Sequence, residues 1–90
     1  ALAIGLVDRV VPATDVETAA REWAGSLASG AVVAMGHAKR AIDEGLDLPL
    51  HAALDLETEC FVDTFTTEDA AVGIASFREH GPGRATFHGR

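Results

Sequence analysis

Apolar residues recur three and four positions apart through most of this chain, and four stretches of that rhythm predict four helices. In the first, Val16, Ala19, Ala20, Trp23, Ala24 and Leu27 share a face; Thr14 and Glu17 open it as a T-x-x-E capping box and Gly30 ends it. The second runs from near Ala31 to Gly45, with Val33, Ala34, His37, Ala38, Ala41 and Ile42 along one side. Lys39 with Asp43 and Arg40 with Glu44 are spaced to pair on it, basic residue first, the weaker orientation. Pro49 suits the first turn of a third helix, whose apolar stripe is Leu50, Ala53, Leu54, Phe61 and Phe65, widened by Cys60 and interrupted by Glu57. Thr66 caps a fourth, with Glu68 in its first turn and Asp69 three residues past the cap. Ala70, Ile74 and Phe77 make its face, Gly81 and Pro82 stop it, and Gly83 to Arg90 read as an extended tail.

The rhythm differs at the front. Gly5 can close a short helix end, and Leu6, Val7, Val10 and Val11 are strand-favouring until Pro12. The expected fold class is therefore mainly α: a short strand followed by four helices, with residues 1–12 as one segment and 13–90 as a helical domain. A lone strand leaves its backbone groups unpaired, so this one is expected to pair outside the segment. The apolar start at Ala1, without Met, is how a piece of a longer chain, or a processed one, is expected to begin.

Ninety residues allow one small domain near the lower edge of independent stability. A net charge of −7 argues against a general nucleic-acid or anionic-membrane surface, since phosphate contacts need clustered Lys and Arg. It leaves room for a local basic spot. The single cysteine, Cys60, rules out an internal disulfide and favours an intracellular, cytoplasmic setting. No apolar run approaches the roughly 18 to 20 residues of a membrane span.

No local catalytic motif is present: no nucleophile elbow, phosphate loop or dinucleotide fingerprint. Of His37, His51, His80 and His88, only His51 has an acid at helical spacing, Asp55, and one such pair does not make a metal site. Glu57, a carboxylate on an apolar stripe, reads either as an acid/base group or as a salt-bridge partner at a helix seam. Cys60 reads as a nucleophile or as a small buried hydrophobe. Lys39 and Arg40 suit a phosphate or a solvated face, and Trp23 a core or interface anchor. Phe61, Phe65 and Phe77 frame a ligand slot or pack as core.

Taken in order, these residues resemble a known family. Gly5-Leu6-Val7-Asp8-Arg9-Val10-Val11-Pro12 resembles the GLV-x-x-VVP of crotonase-fold (enoyl-CoA hydratase/isomerase) proteins. Ala38-Lys39-Arg40-Ala41-Ile42 and Ala53-Leu54-Asp55-Leu56-Glu57 are similar to the helices that follow it. The run from Phe65 to Phe77, with Phe87-His88-Gly89-Arg90, resembles the family's close. The resemblance implies the C-terminal helical part of an α/β spiral fold acting on acyl-CoA thioesters, with the oxyanion hole and acid/base carboxylates in an N-terminal core that nothing here matches. It implies coenzyme A as thioester substrate rather than a prosthetic group, and as partners that core and a trimer or dimer of trimers. It carries a binding role to Phe61 and Phe77, beside the CoA or acyl group, and to His80, where many members place a lysine near a CoA phosphate. Arg84, just past Gly81-Pro82-Gly83, has the guanidinium to take over that contact. Val72 replaces a common glutamate. The rival reading is an autonomous helical interaction module without catalysis.

Overall fold

The computed structural model describes residues 1–90. Two single turns of 3₁₀ helix, Leu2–Ile4 and Ala13–Asp15, precede four helices: α1 Val16–Ala28, α2 Val32–Gly45, α3 Leu50–Thr64 and α4 Glu68–His80. The punctuation lies within one residue of where the sequence predicts it. Gly30 lies in the turn between α1 and α2, Pro49 is the N-cap of α3, and Gly81, with φ 79°, ends α4.

The expected strand is absent. Gly5 closes the first turn with φ 71°, as read, but Leu6 to Pro12 form no regular element. Strand propensity reports side chains packing on a pleated sheet, and here there is no sheet to pack on. Leu6 and Val10 stay 74% and 67% exposed. The segment is tied to α1 through Arg9, whose guanidinium carbon lies 4.3 Å from the Trp23 ring centroid.

Two caps also differ from expectation. Thr14 lies inside the 3₁₀ turn rather than before a helix, so its hydroxyl donates to Asp15 Oδ1 and caps nothing, while Glu17 pairs with Arg21. At α4 the cap is Thr67, one residue later than predicted; its Oγ1 accepts from the Ala70 N–H at 3.1 Å. Thr66 instead closes α3 by donating to the Asp63 carbonyl.

α2 and α3 form the one substantial helix–helix packing. Its buried residues are Gly45, Leu56 and Cys60. Gly45 lets the helices approach, since a Cβ there would stand 3.6 Å from that of Ala53. Arg40 spans the pair, reaching Glu44 on its own helix and Glu59 on α3. These bonds are exposed, so apolar contact carries the association.

The face of α3 that packs on α2 takes in only part of the predicted stripe, Ala53 and Cys60, and adds Leu56 and Thr64. Ala53, Leu56, Cys60 and Thr64 turn inward, whereas Leu50, Leu54, Phe61 and Phe65 remain half or more exposed. Together the two rows make roughly half the circumference of α3 apolar, wider than the stripe of about 100° that a single packing partner needs. This chain covers one side of it.

The remainder is open. The radius of gyration is 16.5 Å, against about 12 Å for a compact chain of this length. The accessible surface is 7034 Å², against roughly 5000 Å² for a compact protein of this mass. Only four residues are buried, so this is a flat layer of helices with large apolar faces uncovered.

Candidate functional site

Uncovered apolar surface collects along the α2–α3 seam. One groove of about 350 Å³ lies between Ala34, His37, Ala38 and Ala41 of α2 and Glu57, Cys60, Phe61 and Thr64 of α3. It is continuous at one end with a wider depression of about 480 Å³ lined by Leu46, Leu48, Leu50 and Leu54, the two sharing Ala41, Ile42 and Glu57. At the other end Ala34, Phe61 and Thr64 also border a hollow of about 270 Å³ against Ala70, Ile74 and Phe87. The Phe61 and Phe65 rings meet edge to face, centroids 4.9 Å apart, and stiffen this wall.

Glu57 lies midway along the seam and makes no ion pair, so the salt bridge among its two readings is not formed. Cys60 is 2% exposed, the small buried hydrophobe of its two readings. Lys39 is held by Asp43 and Arg40 by Glu44 and Glu59, a solvated face rather than a free basic pair. No cluster of three or more His, Cys, Asp or Glu is arranged to hold a metal ion. No helix is long and apolar enough to cross a membrane.

A second site lies under the tail. A depression of about 380 Å³ is bounded by the Ser29–Gly30 turn, by Gly73, Ser76 and Phe77 of α4, and by Gly81 to Ala85 with Phe87. Small residues on three sides leave the space open, and Gly73 lets the Phe87 ring approach: a Cβ there would lie 3.3 Å from it. Phe77 and Arg84 both line this depression. The Arg84 guanidinium is exposed and pairs with no carboxylate in a chain of net charge −7. Of the four candidate binding residues, the structure thus brings Phe77 and Arg84 together. Phe61 lies in the separate seam groove, and His80 projects from the end of α4 outside both, its Nδ1 3.9 Å from Glu79.

Asp69 is a structural centre that its local sequence does not reveal. It reads as a first-turn helix charge, yet it is 2% exposed. Its Oδ1 accepts from the His88 N–H at 2.7 Å and its Oδ2 from the Gly89 N–H at 2.8 Å. The His88 N–H first, and the Gly89 and Arg90 backbone after it, hold the carboxyl below its ordinary pKa, against burial pushing the other way. The partners lie 19 and 20 residues away, so no local pattern could signal them.

The family described as Enoyl-CoA hydratase/isomerase matches residues 1–89. The chain belongs to this family. It is 38% identical over 79 residues to a short-chain-enoyl-CoA hydratase of Clostridium acetobutylicum, covering 88% of this chain and 30% of that protein. It is 39% identical over 75 residues to a probable enoyl-CoA hydratase of Mycobacterium bovis, covering 83% of this chain and 29% of that one. The crystal structure of an enoyl-CoA hydratase from Geobacillus kaustophilus superposes with a TM-score of 0.88 at 36% identity, over 99% of this chain and 33% of the other. The chain thus spans about a third of the length of these enoyl-CoA hydratase relatives. The helical layer is a shared part of the crotonase-family fold rather than an irregular collapse.

Proposed function

We propose that this chain supplies part of the acyl-CoA pocket and the oligomer contacts of an enoyl-CoA hydratase/isomerase that acts on acyl-CoA thioesters. The observation that carries this reading is the pairing of Phe77 with an unpaired Arg84 around one open depression. An aromatic face suits a base or an acyl chain, and a free guanidinium suits phosphate oxygens. Coenzyme A presents both kinds of group. The seam lined by Phe61, Phe65, Leu50 and Leu54 offers the contact surface, to be covered by the core of the same protein or by a second subunit. No residue of this chain is given a proton-transfer or oxyanion role; its part is to bind and orient.

His80 is the weaker of the two phosphate candidates. A largely neutral imidazole at pH 7 holds a phosphate less well than a guanidinium, and here it lies outside the depression. The test is Arg84→Ala in the protein that carries this chain. Charge-assisted hydrogen bonds are worth about 1.5–3 kcal/mol, and an exposed one falls at the low end, so affinity for CoA thioesters should drop roughly tenfold. An unchanged affinity would remove Arg84 from the site.

The helical interaction module keeps one observation in its favour: α2 and α3 pack on each other without any strand. Absence of CoA binding together with retained self-association would select that reading.

A further inference from the structure

The residues after α4 form no regular structure, so their backbone groups have no ladder to join. Beyond Gly81, every hydrogen bond of this tail ends on the first turn of α4. His88 and Gly89 donate to the Asp69 carboxylate at 2.7 and 2.8 Å, and the Asp69 N–H returns to the Arg90 carbonyl at 2.9 Å. Arg90 Nε donates to Glu68 at 2.8 Å. Asp69 therefore commits both carboxylate oxygens and its backbone N–H to the tail, and it does so while buried. A helix of this length measures about 20 Å. A tail that leaves one end and is fastened at the other must cross it, and the Arg84 depression lies under that crossing.

We propose that Asp69 is a positioning residue: its clamp on His88 and Gly89 holds the tail across α4 and thereby sets where the Arg84 guanidinium stands against an incoming phosphate. This rests on the reading of Arg84 as a CoA phosphate contact. A loose tail still carries the arginine, but ordering it then draws on the binding free energy.

The test compares Asp69→Asn with a chain ending at Phe87, both in the protein that carries this chain. The first keeps the size of the side chain but turns an amide NH₂ toward a backbone N–H. The second removes the donors and leaves Asp69 and the Phe87 ring in place. Binding of CoA and of 3′-dephospho-CoA is measured by titration calorimetry, and amide exchange of the tail by hydrogen–deuterium exchange. Both variants should weaken CoA binding about three- to tenfold and add nothing in an Arg84→Ala background; dephospho-CoA binding weakens equally where the phosphate met is the diphosphate and holds where it is the 3′-phosphate. Exchange at His88 and Gly89 in Asp69→Asn should rise at least tenfold, while α2 and α3 keep their protection. If tail exchange does not rise, the clamp is refuted whatever Arg84 does. If it rises and CoA affinity holds while Arg84→Ala weakens it, Asp69 is structural only and the positioning role is overturned. If Arg84→Ala itself changes nothing while tail exchange rises, the phosphate reading is what has failed, and the positioning role falls with it while the clamp stands.

Discussion

Replacing Leu56 by alanine removes three carbons from the largest buried side chain of the α2–α3 pair, a residue only 8% exposed. Buried leucine-to-alanine changes cost about 2–5 kcal/mol, the spread reflecting how far the surroundings collapse. The seam groove runs alongside, so neighbours can relax toward the vacated space, and a cost of about 2–3 kcal/mol is expected. For a chain of this size each kcal/mol lowers Tm by about 4–8 °C, so the midpoint should fall by roughly 10–20 °C. Leu54, two residues earlier, is the position its periodicity names as core, yet it is 51% exposed. Leu54→Ala should cost under about 1 kcal/mol and shift the midpoint by a few degrees, because half of its apolar area already faces water. Thermal unfolding of the 90-residue chain, followed by far-UV circular dichroism, measures both. Equal costs, or a larger cost for Leu54→Ala, would refute the assignment of the inward face of α3.

Other consequences follow from the same contacts. The pKa of Asp69 is depressed in the folded chain, so its contribution is complete above the ordinary carboxylate value of 3.8 and is lost as pH falls through the lower folded value. Proteolytic susceptibility of the tail should therefore stay flat from neutral pH to about pH 4 and rise below it, and Asp69→Asn should abolish that step. Gly89 holds φ 74°, and a Cβ there would stand 2.9 Å from Val32 Cγ2. Gly89→Ala should cost about 1–2 kcal/mol of tail docking, read as faster amide exchange at His88 while α3 around Leu56 and Cys60 keeps its protection. Arg40→Ala removes only exposed pairs, so unfolding should change by less than about 1 kcal/mol, and less still at high salt.

The helices were legible because their ends carry strong local signals: Gly30, Pro49 and Gly81 each stand where the backbone needs them. The Leu6–Val11 strand was misread because its valines report a preference that only a neighbouring strand can satisfy. The α3 stripe was right at Ala53 and Cys60 and wrong at Leu50, Leu54, Phe61 and Phe65, because apolar residues cover two adjacent rows and periodicity alone cannot say which row finds a partner first. For the candidate site, Phe61, Phe77, His80 and Arg84 were named through the family resemblance and not from periodicity; the turn at Gly81-Pro82-Gly83 brings Phe77 and Arg84 to one depression. Phe61 could not be placed with them, since it belongs to another helix and another groove. Asp69 escaped notice for a related reason: a carboxylate in the first turn of a helix is an ordinary sight, and its donors come from the far end of the tail.

This helical layer leaves its apolar seam uncovered, and the proposal is that protein packed onto it completes it. Sedimentation of the 90-residue chain across a range of concentrations tests this most directly, with Phe61→Asp as the comparison. Self-association that Phe61→Asp weakens is the expected result, since a new charge in place of an exposed aromatic ring of the seam would have to be buried on contact. A cooperatively folded chain that stays monomeric at high concentration, with or without the substitution, would contradict it.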